Sequence, residues 1–288
     1  MNNESHQHSI RAISPVDPSA VRVLRSLDPV ARAMDCAYFV AGATARDLIL
    51  VNVHGLRPGR ATLDIDLGIA VENWEQFAIL RERLIGTGEF VADRRALQRL
   101  TYQTAGFSVP VDLIPFRGVT SADGMVAWPP GRDIVMNVAG FEEALGSSVL
   151  IEVEEGLTVR VASIPGLTLL KLTAWADRGR ESNKDAPDIY RLLTAYADAG
   201  NIDRLYDQEL DLLEAVNFDM ELAGAELLGR DVAGIGSSQV MDRVRSLVTS
   251  GPDHERLVSH MAQATYSEAA LGVDRIVAAF CRGLLSVK

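Results

Sequence analysis

The sequence predicts an α/β (α+β) chain in two parts: a mixed sheet flanked by helices over residues 1–162, then a helical bundle over residues 163–288. Two observations carry this prediction. Up to residue 161, short strand-like runs alternate with runs of helical spacing. Beyond Pro165, every periodic run has helical spacing. The change of pattern places a domain boundary near residue 162.

The first elements form a strand, a glycine turn and a helix. Residues 1–17 are polar, so we expect a frayed leader and then a short helix. The run 37–42 has the aromatic and branched residues of a buried strand and ends at Gly42. A helix is predicted over 44–54, with Thr44 as its cap.

The next run, residues 62–71, alternates with period two and predicts a strand. One face of this strand carries Leu63, Ile65, Leu67 and Ile69, and the opposite face carries Asp64, Asp66 and Gly68. A helix capped by Asn73 follows over 73–85, and two or three strands lie within 89–116. Pro110 indicates an edge or a bulge in the last of them.

The remaining runs predict a hairpin and a series of helices. Residues 147–161 turn at Glu155-Gly156 and complete the sheet. The predicted helices of the second part are 166–178, 186–199, 202–216, 219–229, 236–249, 253–264 and 266–285.

Composition limits the classes of function. The 288 residues include 28 basic and 39 acidic ones, and this net charge of −11 has the wrong sign for a protein that coats nucleic acid through a broad basic face, while a local basic groove is still allowed. No apolar run approaches the roughly 20 residues that cross a bilayer, so we expect a soluble, cytoplasmic protein without a membrane partner. Cys36 and Cys281 predict buried free thiols. Lysine is scarce, occurring only at Lys171, Lys184 and Lys288.

Asp64 and Asp66 form the chemical feature that stands out. At positions i and i+2 of a strand, they project side by side, roughly 6 to 7 Å apart. Parallel carboxylates repel each other, and a divalent cation would offset that repulsion. Asp112, in the predicted strand 107–116, is the third candidate ligand. Ordinary surface acids on an exposed strand face are the alternative. Arg94, Arg95 and Arg99 cluster in a charged bend, which we interpret as a solvated turn.

The order of these motifs resembles a known superfamily. Gly42-Ala43-Thr44-Ala45-Arg46-Asp47, followed by Arg60-x-Thr62-x-Asp64-Ile65-Asp66-Leu67, resembles the nucleotidyltransferase fold of the polymerase β superfamily. The glycine turn with its Arg-Asp is similar to that of CCA-adding enzymes. The R-x-T-x-D-I-D-L string looks more like the AbiEii abortive-infection toxin family. The matching motifs cover roughly residues 40–195.

The resemblance implies a nucleotidyltransferase-type sheet and assigns roles to residues. It implies transfer of a nucleoside monophosphate from a nucleoside triphosphate to an acceptor hydroxyl, with two Mg²⁺ ions as cofactors. Asp64, Asp66 and Asp112 would hold the metal. Asp64, Asp66, Asp112 and Lys171, the isolated helical lysine, would be catalytic. The implied nucleotide-binding residues are Gly42, Ala43, Thr44, Arg46, Arg60, Lys171, Trp175 and Asp188.

Some of these assignments have a structural alternative. Ala43 stands where the superfamily usually has a small hydroxyl residue, so Thr44 would supply any hydroxyl to the phosphates. Lys171 and Trp175 share one helix face, which suits either a phosphate cation with a base-stacking ring or a solvated lysine beside a half-buried tryptophan. Asp185 and Asp188 also suit a helix cap and the helix dipole.

The acceptor is left open by the sequence. The AbiEii resemblance implies a toxin that modifies RNA such as tRNA, paired with a cognate antitoxin. A small-molecule nucleotidyltransferase with an antibiotic-like acceptor is the second hypothesis. A catalytically silent nucleotide- or partner-binding module is the third.

Overall fold

The computed structural model describes residues 9–60, 62–104, 106–249, 251–263 and 272–286. The chain divides into two compact units. The first consists of the described residues up to Met136 together with Ser148–Ser163, and the second of Asn137–Ser147 and the described residues from Ile164 onward. The last crossing from the first unit to the second lies between Ser163 and Ile164, next to the predicted boundary. Residues 137–147 also belong to the second unit, which the sequence pattern does not indicate.

The first unit is built on an eight-stranded mixed sheet in the order β1-β9-β10-β2-β3-β6-β5-β4. β3 pairs with β2 in antiparallel and with β6 in parallel orientation. β7 and β8 form a separate pair. The strands are β1 (Ile10–Arg11), β2 (Tyr38–Ala41), β3 (Ile65–Val71), β4 (Phe90–Ala92), β5 (Arg99–Thr104), β6 (Phe107–Arg117), β7 (Met125–Ala127), β8 (Val135–Asn137), β9 (Val149–Glu154) and β10 (Leu157–Val161).

Apolar residues spaced along the strands form the core of this unit. Phe39 of β2 and Phe116 of β6 meet edge to face, with ring centroids 5.9 Å apart, and Leu67 and Ile69 of β3 are fully buried. The flanking helices are α1 (Pro18–Ala33), α2 (Gly42–Asp47), a π-helix over Leu48–Val53, and α3 (Trp74–Gly86). The mixed sheet with flanking helices confirms the predicted fold class.

The N-terminal prediction is wrong in two respects. Ile10–Arg11 form an edge strand that pairs in parallel with β9, and α1 has 16 residues instead of being short. Its Asp17 cap accepts a hydrogen bond from the Ser19 amide at 2.7 Å. The pairing partner of β1 lies far along the chain, so a two-residue strand leaves no local signal.

The structure refines two further strand predictions. β3 begins at Ile65, so Leu63 lies before the strand and is 86% exposed instead of sharing the buried face. β6 is an interior strand of the sheet, but it is an edge locally at Pro110. Pairing of β6 with β3 starts at Val111, directly after the proline. Pro110 therefore lies where only β5 accompanies the strand, and its missing N–H is tolerated there.

The second unit is helical. Its helices are α4 (Phe141–Gly146), α5 (Ile164–Arg178), α6 (Ala186–Ala195), α7 (Ile202–Asp207), α8 (Leu210–Ala215), α9 (Met220–Ile235), α10 (Ser238–Thr249), α11 (Pro252–Gln263) and α12 (Val273–Ser286). The helix predicted over 202–216 is divided into α7 and α8, and the start of the one predicted over 266–285 lies outside the described residues. α4 has no counterpart in the prediction.

Glycines allow α9 and α12 to pack closely. A Cβ on Gly229 would overlap the carbonyl oxygen of Phe280, and one on Gly283 would overlap the carbonyl oxygen of Glu226. The two backbones therefore approach to a distance that only glycine permits. Among the described residues, no helix has the length and apolar character that crossing a membrane requires.

Candidate active site

Asp64, Asp66 and Asp112 come together where β3 and β6 run side by side. Asp66 and Asp112 are register partners in the parallel ladder, and Asp64 lies just before β3 begins. One carboxylate oxygen from each residue lies within 4.8 Å of the other two, and all three residues are half-buried. The ladder thus fixes at one point three acids from two distant segments of the sequence.

Gly42 makes room for the Asp66 carboxylate. It follows β2, whose last residue Ala41 pairs with Asp66, and it has a φ of +63°. A Cβ added to Gly42 would overlap the Asp66 carboxylate. Glycine is therefore required twice, for its left-handed backbone and for the close approach of an acidic side chain.

Two threonine hydroxyls orient Asp64. The Thr62 hydroxyl donates a short hydrogen bond to the Asp64 carboxylate, and the Thr44 hydroxyl donates to the Asp64 main-chain carbonyl at 3.3 Å. The prediction that Thr44 caps the helix is wrong, because α2 already begins at Gly42 and its cap is Ala41. The Thr44 hydroxyl donates its proton to the main-chain carbonyl of Asp64. Ala43 beside it lies in the first turn of α2.

Arg46, one of the predicted nucleotide-binding residues, is a buried support. It is 2% exposed. Its Nε donates to Asp47 at 2.8 Å and its Nη2 to the carbonyl oxygen of Arg60 at 2.8 Å. The guanidinium therefore ties α2 to the loop that leads to the acids. Arg60 itself is exposed.

Arg99 is a member of the site that the sequence reading missed. It is the direct register partner of Asp112 in the antiparallel β5–β6 pair. Its Nε donates to Asp112 Oδ1 at 2.8 Å and its Nη2 to Oδ2 at 2.6 Å. The hydrogen bonds to Asp112, assisted by the charges of Asp112, Asp64 and Asp93, raise the pKa of Arg99 above its ordinary value. Arg99 is thus not part of a solvated turn.

A cavity of about 380 Å³ adjoins Asp64 within the first unit. The described residues that line it include apolar side chains together with hydroxyl, amide and carboxylate groups, and none of them is lysine or arginine. Besides Asp64, the lining residues with polar or aromatic side chains are Asp17, Ser19, Thr44, Asp47, Asn52, Thr62, Phe107 and Ser108. Its volume lies within the range typical of small-molecule sites.

In the second unit, Lys171 belongs to a cluster of ion pairs. Its Nζ lies 2.7 Å from Asp188 Oδ2 and 3.2 Å from Asp185 Oδ1. Burial alone would lower the pKa of Lys171, but the Asp188 and Asp185 carboxylates outweigh burial and raise it. The structure thus brings together the predicted residues Lys171 and Asp188 and adds Asp185.

Asp185 is the buried centre of this cluster. It is 1% exposed, and besides Lys171 it binds Arg178, whose Nε and Nη2 donate at 2.6 and 2.8 Å. Burial alone would raise the pKa of Asp185, but the hydrogen bonds from Arg178 and the charge of Lys171 reverse this and lower it. Asp185 is the N-cap residue of α6, as predicted, but its carboxylate makes no capping hydrogen bond and is used in the ion pairs instead.

Trp175, predicted as a possible stacking surface for a base, is buried. It is 1% exposed. Its Nε1 donates to His260 Nδ1 at 3.2 Å, and the Arg256 guanidinium lies 5.4 Å from its ring centroid. Residues of α11 thus cover the indole within the second unit.

The three aspartates fit a hard divalent cation. Mg²⁺ prefers oxygen ligands and is commonly held by one or two carboxylates, with its other positions open to water and substrate phosphates. Three carboxylate oxygens within 4.8 Å of one another supply that donor set.

Comparison with known families decides the assignment of the chain. Residues 24–253 match the family described as "Nucleotidyl transferase AbiEii toxin, Type IV TA system". The chain belongs to the AbiEii family. It is therefore a nucleotidyltransferase, and the resemblance noted in its motifs is confirmed. No curated protein matches the sequence.

Solved structures similar to this AbiEii chain are also nucleotidyltransferases. An antigenic nucleotidyltransferase-like protein from Paracoccidioides brasiliensis shares 16% identity over 70% of this chain and 94% of its own, with a TM-score of 0.42. ANT(2″)-Ia in complex with adenylyl-2″-tobramycin shares 18% identity over 68% of this chain and 95% of its own, with a TM-score of 0.37. The Thermotoga maritima CCA-adding enzyme complexed with tRNA shares 15% identity over 95% of this chain and 82% of its own, with a TM-score of 0.27.

The Gly42→Ala substitution is expected to lower divalent-ion affinity by about tenfold or more, because the new methyl group displaces a proposed ligand, Asp66. Titration with Mn²⁺, followed by the electron paramagnetic resonance signal of the free ion, measures this affinity. Gly88→Ala is the matched control, since Gly88 also has a positive φ, +79°, but open space around its Cβ position. Equal Mn²⁺ affinity in wild type and Gly42→Ala would contradict the role of this close approach.

Asp185→Asn is expected to destabilise the chain by about 3 kcal/mol at pH 7, because it removes a buried charge that two cations share. The folded-state pKa of Asp185 is lowered, so its stabilisation is complete above the unfolded pKa of about 4 and is lost as pH falls through the folded value. Urea unfolding at pH 7 and at pH 3 measures both effects.

The control for Asp185→Asn is Asp177→Asn. Asp177 forms a partly exposed ion pair with Arg243 at 3.1 Å, and such pairs contribute about 0–1 kcal/mol. A difference between wild type and Asp185→Asn that does not shrink towards pH 3 would refute the assigned direction of the shift.

Proposed function

We propose that Asp64, Asp66 and Asp112 form the active site of a Mg²⁺-dependent enzyme that transfers a nucleoside monophosphate from a nucleoside triphosphate to an acceptor hydroxyl, with two ions. The observation that carries the proposal is the meeting of three carboxylates within 4.8 Å in a chain of the AbiEii family. Carboxylates at such distances repel, and a site built this way favours divalent cations.

Each residue has a proposed role. Asp64 and Asp66 hold the ion that binds the triphosphate, and Asp112 is the third metal ligand. When bound, Mg²⁺ lowers the pKa of the attacking hydroxyl and stabilises charge on the leaving pyrophosphate. The residues of the chain contribute position and charge, which account for most of catalysis in such transfers.

The phosphate-binding residues are proposed from the family motifs. The backbone of the turn formed by Gly42, Ala43 and Thr44, with the exposed Arg60, would face the phosphates. Lys171 would neutralise the triphosphate, and Asp188 would hold the lysine in place, as the 2.7 Å ion pair between them supports. Trp175 and Arg46 are left out of this set, because both are buried.

We propose RNA, such as tRNA, as the acceptor, in keeping with a family named for toxins of a type IV system. The cavity beside Asp64 is large enough for the terminal nucleoside of such an acceptor. A cognate antitoxin would then be the protein partner, and the cytoplasm the place of action.

A small-molecule acceptor is the second candidate, and one observation favours it. The cavity contains carboxylates from Asp17, Asp47 and Asp64, and its described lining has no basic side chain. Such a lining attracts an amino-bearing acceptor more than a phosphate-rich one.

Asp64→Asn or Asp66→Asn is expected to lower transfer by at least about a hundredfold, because each removes a ligand charge from the metal site. The protein is incubated with each labelled nucleoside triphosphate, Mg²⁺ and total RNA, and the products are separated on a denaturing gel. Asp123→Asn, at an exposed site of the first unit, is the matched control. Near-normal turnover in Asp64→Asn or Asp66→Asn would refute the proposed site.

The same experiment separates the acceptors. Label that moves with RNA supports the proposed acceptor, and label transferred to amino-bearing small molecules supports the second candidate. Nucleotide that binds in a Mg²⁺-dependent way without any transfer would indicate a silent binding module.

Expression of the wild-type chain in a bacterial host is expected to arrest growth, whereas Asp64→Asn is expected to leave growth unaffected at equal protein levels. The reason is that modified RNA acceptors would fail in translation. Growth curves after induction measure the effect, with Asp123→Asn as the variant that should still arrest growth. Normal growth with the active wild-type enzyme would contradict the toxin role and leave nucleotidyl transfer standing.

A further inference from the structure

A second cavity of the first unit lies away from the three aspartates. Its volume is about 370 Å³, and its lining includes Asn73, which follows β3, and Gly118, which follows β6. In the parallel pairing of these strands, their last residues lie five steps beyond Asp66 and Asp112. At about 3.3 Å per residue, the strand ends are roughly 16 Å from the aspartates. The cavity is therefore separate from the candidate active site.

Buried Trp128 and a close backbone contact hold the walls of this cavity together. Trp128 is 4% exposed, and its ring centroid lies 5.4 Å from that of Trp74 in the lining. The Trp128 main-chain carbonyl accepts a hydrogen bond from the Arg132 amide at 2.9 Å. At the strand ends, the Gly118 amide donates to the Val71 carbonyl at 2.8 Å. The lining residues are thus fixed by contacts within the fold, which lowers the cost of binding a ligand there.

Arg132 determines the charge of this cavity. Among the described residues that line it, Arg132 is the only charged one, and it is exposed. Its guanidinium makes no hydrogen bond or ion pair with any described residue, the neighbouring Asp133 included. An arginine with uncommitted donors binds phosphate oxygens strongly, often through two parallel hydrogen bonds. The cavity therefore favours an anionic group, in contrast to the carboxylate-lined cavity beside Asp64.

Trp74 gives the same cavity a planar surface. Its indole is half-buried and packs against Trp128 and Phe77, with ring centroids 5.4 and 5.8 Å away. A ring fixed in this way loses little freedom when a base stacks on its exposed part. The lining also includes Asn73 and Ser121, whose side chains carry an amide and a hydroxyl for hydrogen bonds to a base or a sugar. An aromatic ring, polar groups and an unpaired arginine together suit a nucleotide better than an inorganic anion.

We propose that this cavity is a second nucleotide-binding site, in which Arg132 binds a phosphate and Trp74 stacks on the base. The site uses none of the three aspartates and needs no metal ion, so the inference goes beyond the proposed function and does not depend on it. A free mononucleotide and one nucleotide of a single-stranded RNA offer the same base and phosphate. Two arms of the test separate these sources.

The test measures binding to the full chain in EDTA, which keeps divalent ions away from the aspartates. Equilibrium dialysis with radiolabelled adenosine monophosphate is one arm, and fluorescence anisotropy of an end-labelled, single-stranded oligoribonucleotide is the other. Trp74→Leu, which removes the stacking ring, and Arg132→Gln, which removes the charge, are each expected to weaken binding by about fivefold or more. Trp74→Phe and Arg132→Lys keep the ring and the charge, and most of the affinity should remain.

Two control variants exclude a general effect of arginine or binding at the aspartates. Arg83→Gln removes an exposed arginine from the last turn of α3, at the end of the helix remote from the cavity. Asp66→Asn alters the candidate active site. Neither variant should change the affinities in EDTA. Thermal unfolding of every variant checks that the sheet is intact.

The outcomes separate the sources and decide the proposal. Loss of affinity in both Trp74→Leu and Arg132→Gln, restored by the two conservative variants, would support the site. An effect on adenosine monophosphate identifies a free nucleotide as the ligand, and an effect on the oligoribonucleotide alone identifies an RNA strand.

Other results would overturn the inference. These are no binding of either ligand by wild type, changes within about twofold in one or both of Trp74→Leu and Arg132→Gln, or adenosine binding as tightly as adenosine monophosphate. None of them affects the proposed function, which is tested by Mg²⁺-dependent transfer in Asp64→Asn and Asp66→Asn. Failure of that transfer assay would in turn leave the binding measured in EDTA unchanged.

Discussion

The site depends on the sheet, which holds three carboxylates together although they repel one another. Asp66 and Asp112 are brought side by side by the parallel ladder of β3 and β6, and Asp64 is fixed just before it. The cost of this repulsion is met by the ladder and by the buried apolar residues of the strands, such as Leu67 and Leu113. Rigid strands therefore keep the carboxylates close together, whereas a loop could relax and separate the charges.

The supporting contacts of the first unit all limit the freedom of these acids. Gly42 leaves space for one carboxylate, Thr62 hydrogen-bonds to another, and Arg99 engages the third. The buried guanidinium of Arg46 fixes the loop before them through the Arg60 carbonyl. A site with such support is organised before a ligand arrives, which reduces the cost of reorganisation during the reaction.

The sequence predicts the local parts of this structure well and the long-range parts poorly. Period-two runs and the Asn73 cap give strands and a helix close to the observed bounds, and the motif spacing indicates which acids meet. Burial of Trp175 depends on α11, some 85 residues later, so helical periodicity alone cannot show that its ring is covered.

The role of Arg99 could have been found from the sequence. The β5–β6 hairpin pairs Thr104 with Phe107, and five steps outward along each strand lead to Arg99 and Asp112. The sequence pattern predicts two or three strands within 89–116, but it is their register that brings Arg99 to Asp112.

The ion pairs of Asp185 and Asp112 differ in their access to water. Asp185 is sealed at 1% exposure between Lys171 and Arg178, so exchange of its partners would leave a buried charge without compensation. Such a cluster stabilises one arrangement. Asp112 and Arg99 retain access to water on the arginine side, so the ion pair can loosen without leaving either charge desolvated. The pairing of Asp185 with Arg178 is therefore a fixed support in the second unit, whereas the pairing of Asp112 with Arg99 is open to water at the site of the first.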